Sequence, residues 1–253
     1  MLGKLKELLP DNVFHGLRKI KKVFQRQMYK GNDVHCVCCG SSFKKFAPFG
    51  TQKWPNRLCI NCDSLERDRL LYLYLDNKTT LYKQETSLLH IAPERIFFNK
   101  FKSVPGIHYY PVDKFNLSYP RGTAYLDLLD NNIPDNSYDA IICNHVFQYI
   151  EEDHKAMKEV YRMLKPGGWA ILQVPIDMKR EKTYEDPTIT DPKMREKVFG
   201  LNEHVRWYGR DYASRLRQAG FTVKEDDYVD SFSDKEIARL GFWKGSRIHY
   251  CEK

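Results

Sequence analysis

The sequence predicts an α/β protein whose parallel sheet is covered by helices on both faces. Four short apolar runs have the length and composition of buried strands; they are residues 87–92, 107–112, 138–143 and 169–174. Amphipathic stretches with helical spacing lie between or beyond them, most clearly at 152–164 and 210–219. Strands separated by helices form parallel sheets with both faces buried. Residues 221–228 and 247–252 add two strands around a helix that a capping box at 233–236 begins.

Length and composition limit the class of protein. The 253 residues suffice for one large domain and a small appendage, and a 42% hydrophobic content excludes a disordered chain. The sequence has no apolar run long enough to span a membrane. Charges interrupt residues 2–24 every few positions, so no secretory signal is predicted there. We therefore expect a cytoplasmic protein.

The positive charge is concentrated near the N-terminus. The chain has a net charge of +8, and residues 1–30 hold six lysines, two arginines and two acids, a net of +6. Apolar residues recur there at steps of three and four, which predicts a basic amphipathic helix over 1–30. This helix has three alternative roles: binding RNA, lying on an anionic membrane, or packing its apolar stripe on the domain.

Four of the seven cysteines form two CxxC turns separated by 19 residues. The predicted metal ligands are Cys36, Cys39, Cys59 and Cys62. This spacing is typical of a zinc ribbon, in which two turns present four thiolates to one structural ion. Cys38 is predicted to be a bystander, while Cys143 and Cys251 lie alone in predicted strands; unpaired thiols favour a reducing compartment. The module is predicted over residues 31–76, with a helix that a capping box at 63–66 begins.

The most informative segment runs from residue 133 to residue 172. A turn at 133–137 leads into a buried strand that ends in the polar pair Asn144 and His145. An amphipathic helix follows, then a Lys-Pro-Gly-Gly stop at 165–168 and another buried strand. In open α/β sheets, polar residues just beyond the carboxyl end of a strand face the ligand crevice.

This order of motifs resembles the class I S-adenosylmethionine (SAM)-dependent methyltransferases, in the branch called methyltransferase type 11. Members carry "LPF-DNSFD" before the fourth strand and "LKPGG" before the fifth, which residues 133–139 and 164–168 match closely. The resemblance covers about residues 85–252. It implies a Rossmann-like sheet, an enzyme that uses SAM as methyl donor, and a methyltransferase domain over residues 77–253.

The first strand departs from the family pattern. Members have an acidic residue followed by spaced glycines there, which lets the backbone approach the methionine part of SAM. Here His90 takes the place of the acid, Ala92 that of the first glycine, and Pro93 has no N–H to donate. The resemblance implies that Glu94 either holds the SAM ammonium group or caps a helix.

The adenosine side follows the family more closely. By resemblance, Asp113 accepts both hydroxyl hydrogens of the ribose, as acids do in dinucleotide sites. Asp127 and Leu128 match the pair that contacts adenine, through the carboxylate and the backbone. Asn144 is then expected to border the methyl group that is transferred.

Two histidines are candidate bases for deprotonating an oxygen or nitrogen acceptor. His145 comes first because it follows the fourth strand, and His204 second because it lies in the long segment 176–209. A segment of that length at the crevice is expected to form a lid or an acceptor pocket, with an ordinary polar loop as the alternative.

The acceptor class is inferred from what the sequence lacks. It shows no cluster of neighbouring aromatic and basic residues of the kind that stacks bases. A small-molecule or glycan-type acceptor, methylated on a hydroxyl or amine, is therefore favoured over RNA. The rival hypothesis from another class is a zinc-ribbon interaction protein whose degenerate first loop no longer binds SAM.

Overall fold

The computed structural model describes residues 22–50, 52–114 and 120–253. Two compact units emerge from its internal contacts. The cysteine unit comprises Met1–Asn77 and Tyr228–Ser246, and the sheet unit comprises Lys78–Asp227 and Arg247–Lys253. Most of the predicted helix over 1–30 lies outside the described residues, although 22–28 are helical. Its three alternative roles stay predictions.

The elements are labelled in chain order. The strands are β1 (Val34–His35), β2 (Ser42–Phe43), β3 (Ala47–Phe49), β4 (Trp54–Leu58), β5 (Thr86–Ile91), β6 (Ile107–Asp113), β7 (Ala124–Tyr125), β8 (Tyr138–Asn144), β9 (Leu164–Gln173), β10 (Tyr184–Glu185), β11 (Arg206–Trp207), β12 (Thr222–Asp226) and β13 (Ile248–Glu252). The helices are α1 (Glu66–Lys78), α2 (Arg95–Ser103), α3 (Asp153–Met163), α4 (Pro192–Phe199), α5 (Tyr212–Gln218) and α6 (Asp234–Leu240). Single 3-10 turns span Phe147–Tyr149 and Tyr228–Ser231.

The cysteine unit is built from two short antiparallel hairpins, β1–β2 and β3–β4, together with α1 and α6. One cluster of buried side chains surrounds the cysteine turns and consists of Val34, Cys36, Phe43, Phe46, Ala47, Cys59 and Ile60. Further apolar side chains of the unit are buried on α1 and in residues 228–246. The unit is discontinuous in sequence, because 228–246 joins it from between β12 and β13. The boundary predicted at residue 76 did not anticipate that second segment.

The two predicted capping boxes have different outcomes. The box at 233–236 is confirmed: the Ser233 side chain accepts from the Glu236 N–H, and the Glu236 side chain accepts from the Ser233 N–H. The box at 63–66 is wrong, because Asp63 has a left-handed backbone (φ +64) and belongs to the second cysteine turn. Helix α1 begins at Glu66, and Asp68 accepts from the Leu65 N–H.

The sheet unit contains a seven-stranded sheet in the order β12-β13-β9-β8-β5-β6-β7. Strands β5 to β9 are parallel, while β13 is antiparallel to both of its neighbours. The predicted α/β class and Rossmann-like sheet are confirmed. Strand β9 begins earlier than expected, at Leu164, since the Pro-Gly-Gly segment continues the strand instead of preceding it.

The strand order reverses between β5 and β8. From β5 the chain passes outward through β6 and β7, then returns to place β8 on the other side of β5. In open α/β sheets, ligands bind at the carboxyl ends of the strands beside such a switch point. The fold therefore places the candidate crevice at Ile91, Asp113 and Asn144, the last residues of β5, β6 and β8.

The segment 176–209 has structure of its own. It forms the hairpin β10–β11 and helix α4, neither of which the sequence predicted. None of the helices among the described residues is long and apolar enough to cross a membrane.

Candidate functional site

Two residues at the crevice have a left-handed backbone. Ala92 (φ +55) follows β5, and His145 (φ +56) follows β8, the neighbouring strand. The Ala92 N–H donates to the Val112 carbonyl at 2.8 Å, and the His145 N–H to the Gln173 carbonyl at 2.6 Å. Left-handed backbone favours glycine, so the turn at Ala92 has the conformation for which a glycine is best suited.

A chain of three side chains links the ends of β5 and β8. His90 is buried, and its Nε2 lies 2.9 Å from Glu94 Oε2. Its Nδ1 lies 3.0 Å from the hydroxyl of Tyr109. The other carboxylate oxygen, Glu94 Oε1, accepts from Asn144 Nδ2 at 3.1 Å. Three predicted cofactor residues, distant in sequence, are thus brought together.

Glu94 occupies the N-cap position of α2 but makes no capping hydrogen bond with its side chain. Burial of Glu94 favours its neutral carboxyl and so raises its pKa. The hydrogen bond and the electrostatic attraction from the His90 ring act in the opposite direction and outweigh burial, so the pKa of Glu94 is lowered. Asn144 is buried, and its Oδ1 has no hydrogen-bond partner among the described residues. The crevice therefore offers an ionised carboxylate and a spare amide oxygen side by side, a donor set suited to a cationic group.

The adenosine residues lie along the next strand ends. Asp113 ends β6 and is buried. Asp127 lies 2.7 Å from Lys114 Nζ and accepts from the Leu129 N–H at 3.0 Å. Burial opposes ionisation of Asp127, but Lys114 outweighs it, so the pKa of this carboxyl is lowered. Leu128 is buried beside it. Lys114 is a partner that sequence analysis missed.

The two candidate bases lie in different surroundings. His145 is half-buried at the carboxyl end of β8. His204 is buried, with its ring 4.9 Å from that of Tyr149. Its Nδ1 lies 3.2 Å from the Phe199 carbonyl, which can only accept, so Nδ1 carries the proton and Nε2 holds the lone pair. Burial lowers the pKa of His204, which keeps the ring neutral.

Arg206 forms hydrogen bonds to the backbone of the turn that follows β8. Only 2% of its side chain is exposed, and it donates to the carbonyls of Phe147, Ile150 and Glu151. Its Nε also lies 2.8 Å from Glu185 Oε2 in β10. The segment 176–209 is therefore tied to the residues just beyond His145. Its role as a lid or acceptor pocket stays a prediction.

A buried charge network supports this arginine. Asp153 accepts from the Tyr208 hydroxyl at 2.6 Å and from Arg215 at 2.7 Å, and lies 3.7 Å from Arg206. Sequence analysis missed Asp153 and Arg215, because a charged residue on a helix is usually solvated and one sequence gives no contrary signal.

The four predicted metal ligands converge in the cysteine unit. Their sulfurs all lie within 4.8 Å of one another, and none forms a disulfide. Cys36 Sγ is 3.6 Å from Cys62 Sγ, and Cys39 Sγ is 3.7 Å from Cys59 Sγ. A tetrahedral zinc with bonds of about 2.3 Å places its sulfurs about 3.8 Å apart. The donor set therefore fits zinc.

The two cysteine turns repeat the same geometry. The Gly40 N–H donates to the Cys36 carbonyl at 2.8 Å, and the Asp63 N–H to the Cys59 carbonyl at 2.9 Å. Each of these donors has a left-handed backbone, with φ of +68 and +64. Glycine adopts that conformation without steric cost. The second turn has an aspartate, Asp63, at the position that Gly40 occupies in the first.

Cys38 is not one of the four convergent sulfurs among the described residues, although its side chain interacts with Cys36. Cys38 Sγ lies 3.9 Å from the Asp68 carbonyl. Its role as a bystander to the metal site stays a prediction.

Residues 113–172 match the protein family described as Methyltransferase domain. An arsenite methyltransferase from Aquipseudomonas alcaligenes is 28% identical over 130 residues, which cover 50% of this chain and 35% of that protein. The chain therefore spans about a third of the length of this curated relative.

Two solved structures resemble the fold. A SAM-dependent methyltransferase from Mesorhizobium loti is 14% identical, with 73% of this chain and 98% of that chain covered and a TM-score of 0.48. One from Archaeoglobus fulgidus is 15% identical, with 73% and 93% covered and a TM-score of 0.46.

Proposed function

We propose that this protein is a SAM-dependent methyltransferase that binds SAM at the carboxyl ends of β5, β6 and β8. The observation that carries the proposal is the placement of three polar residues at the carboxyl ends of strands beside the switch point: Asp113 ends β6, Asn144 ends β8 and Asp127 lies two residues beyond β7. The family match over residues 113–172 includes all three positions and supports the same function.

The adenosine part of SAM fits the acids beside β6 and β7. Asp113 would accept both ribose hydroxyls, and Asp127 the exocyclic amine of adenine, next to the backbone of Leu128. Lys114 and the Leu129 N–H each occupy one oxygen of Asp127 and leave further lone pairs for a ligand. These contacts hold the carboxylate ionised and in one orientation.

The methionine part fits the chain of His90, Glu94 and Asn144. Pro93 cannot donate a backbone N–H where family members have a bare glycine loop. In its place, Glu94 and the unpartnered Asn144 Oδ1 offer acceptors for the ammonium group of the ligand. The hydrogen bond from His90 fixes the Glu94 carboxylate toward the crevice.

SAM, when bound, supplies a methyl group attached to a sulfonium. The task of the chain is to hold a hydroxyl or amine acceptor in line with that group and to receive its proton. His145 is the proposed base, since it follows Asn144 directly and is half-exposed. His204 is the alternative, because its tautomer leaves Nε2 free of a proton, although burial shields this atom.

The acceptor class proposed is a small molecule or a glycan-type compound, with RNA as the alternative. Labelled SAM incubated with cell extract, followed by nuclease and protease digestion, would distinguish these. Loss of label on nuclease treatment would establish RNA and exclude the small-molecule acceptor.

We also propose that Cys36, Cys39, Cys59 and Cys62 hold one structural zinc. All four positions are supplied by protein, so no open coordination position remains for a substrate. The predicted cytoplasmic location agrees with free thiols but stays a prediction.

Calorimetry with S-adenosylhomocysteine, the demethylated product of SAM, tests the cofactor site. We expect the wild-type protein to bind, and Asp113→Ala to weaken binding by about 1.5–3 kcal/mol through the lost hydrogen bonds to a charged group. Tyr110→Ala, an exposed change on the same strand, is the control and should bind normally. Absence of binding in the wild type would favour the non-catalytic interaction protein.

Turnover measurements test the base once an acceptor is found. His145→Ala should lower turnover about 10²–10⁴-fold and leave affinity for the demethylated product nearly unchanged. If turnover survives that change and collapses in His204→Ala, the base lies in the 176–209 segment. If neither change matters, the acceptor reacts without a base and the protein supplies alignment alone.

A further inference from the structure

The surface of the cysteine unit has an uneven charge. Residues 34–62 contain no aspartate or glutamate but three lysines and one arginine, namely Lys44, Lys45, Lys53 and Arg57. The three lysines are exposed and have no ion-pair partner within the described part of the chain. Such a surface attracts anions.

Large aromatic side chains are exposed on the same unit. Phe49 and Trp54 are direct partners across the β3–β4 hairpin, and they are 45% and 54% exposed. Neither contributes to the core of the unit. Aromatic side chains have a large apolar surface that is usually buried, so a cross-strand aromatic pair exposed to solvent is unusual.

A third exposed aromatic lies beside a basic group. Trp243 is 60% exposed, and the guanidinium of Arg57 lies 4.5 Å from its ring centroid. Arg57 also lies 3.2 Å from Glu66. Trp243 belongs to the second segment of the unit, far from Arg57 in sequence, so the fold creates an aromatic–basic pair that the sequence did not reveal.

We propose that the cysteine unit binds single-stranded nucleic acid, with bases stacked on Trp54 and Trp243 and phosphates contacting the lysines of 34–62. Exposed aromatic rings beside basic groups are the two elements by which proteins bind single strands without sequence preference. An acidic polysaccharide would satisfy the charges but has no planar bases to stack. The inference does not depend on methyl transfer, since all of these residues lie in the cysteine unit.

The test uses the full chain with its native metal content and a fluorescein-labelled oligouridylate of about 12 nucleotides. Anisotropy should show binding that weakens steeply between about 50 and 200 mM salt. Trp54→Ala and Trp243→Ala should each weaken binding about tenfold, the scale of one base stack, and Trp54→Phe should restore most of it. Lys44→Gln combined with Lys45→Gln should reduce the slope of log affinity against log salt by about 1.4.

Matched controls lie on the sheet unit. Tyr110→Ala removes an exposed aromatic ring, and Lys193→Gln with Lys197→Gln removes two exposed charges from α4. These variants should bind the oligonucleotide as the wild type does. Equal losses in the control and test variants would overturn the proposal.

Two further results would also overturn it. One is no detectable binding at low salt; the other is binding that both tryptophan variants retain in full, since that indicates charge attraction alone. Polygalacturonate is the comparison ligand: tryptophan-dependent binding to it, with none to the oligonucleotide, would assign the surface to acidic glycans. Calorimetry with S-adenosylhomocysteine on the same samples separates failure here from failure of the proposed methyltransferase function.

Discussion

The sheet unit and the cysteine unit bury very different interiors. In the sheet unit, aliphatic residues from β5, β8 and β9, such as Leu89, Ile141 and Leu172, form one continuous core with α3 and α5. In the cysteine unit, the cluster around the two cysteine turns has seven buried apolar side chains, and two of those are the metal-type cysteines Cys36 and Cys59. Other apolar side chains of the unit are buried on α1 and in the second segment. A cluster of seven residues is too small to hold the turns without an additional cross-link. We therefore expect the folding of the cysteine turns to depend on their metal and that of the sheet unit to depend on packing.

Each unit also buries an arginine, and the two guanidinium groups have different hydrogen-bond and ion-pair partners. Arg69 is fully buried and donates to four carbonyls: those of Arg57, Ser64, Leu240 and Gly241. Its guanidinium lies 3.8 Å from the ring centroid of Phe46. Arg206 combines three carbonyls with the carboxylates of Glu185 and Asp153. In both cases one guanidinium connects backbone segments that are distant in sequence.

The largest expected effect comes from removing a metal ligand. Cys59→Ser should abolish stoichiometric zinc, because apparent binding free energies for structural zinc are about 10–16 kcal/mol and depend on all four ligands. Elemental analysis measures the metal, and amide hydrogen exchange should show lost protection in the cysteine unit but not in β5, β8 and β9. Cys38→Ser is the control and should keep one zinc per chain. Wild-type protein without zinc, purified without chelator, would contradict the prediction.

The second effect compares the buried arginines. Arg69→Met and Arg206→Met each keep an apolar stem but leave several buried carbonyls without a donor, at a cost of roughly 3–5 kcal/mol. Hydrogen exchange should localise the damage from the first change to the cysteine unit and that from the second to residues 147–151. Damage spread evenly over both units by either variant would show that they are not separate cooperative regions.

The third and smallest effect is the acid response of the sheet unit. Burial, together with Arg247 and Arg217, lowers the pKa of His249 to about 4. The ordinary pKa of histidine is about 6.5, so His249 becomes protonated in the unfolded chain as the pH falls through that value. In the folded protein His249 stays neutral until about pH 4. Stability present at neutral pH is therefore lost across that interval, by about 3 kcal/mol at most.

His249→Asn isolates this contribution. The asparagine keeps an N–H near Gln173 Oε1, which lies 3.0 Å from His249 Nδ1, and does not titrate. Urea unfolding at pH 7 and pH 4.5 should show a smaller acid loss in this variant than in the wild type. His108→Asn, an exposed change, should lose as much stability as the wild type does. If His249→Asn loses as much unfolding free energy between pH 7 and pH 4.5 as the wild type does, His249 does not cause the acid sensitivity.

The centre of the sheet was predictable because residues 88–91 of β5, 140–143 of β8 and 169–172 of β9 form buried runs. The sulfur cluster was predictable because two CxxC turns leave few alternatives. The long-range partners were not. Nothing near Arg69 in sequence indicates that its guanidinium meets Leu240, and nothing near Asp127 indicates Lys114, since both pairings depend on tertiary structure.

The aromatic surface was hidden for the same physical reason. Trp54 begins the short strand β4, and a large apolar side chain in a strand is expected to be buried. Trp243 lies in a loop far along the chain, and only the fold brings Arg57 to its ring. The left-handed backbone at Ala92 occurs where the resembling family has a glycine, and the alanine itself gives no sign of it.

The discontinuity of the cysteine unit has a consequence for synthesis on the ribosome. The turns that carry the sulfurs emerge early, but two carbonyl partners of Arg69, those of Leu240 and Gly241, emerge more than 170 residues later. Strand β13, which lies between β9 and β12 in the sheet, follows them. Neither unit can complete its native contacts until residues 228–252 have emerged. A nascent chain interrupted after β12 would leave Arg69 with two of its four carbonyl acceptors and the sheet with an unpaired edge at β9.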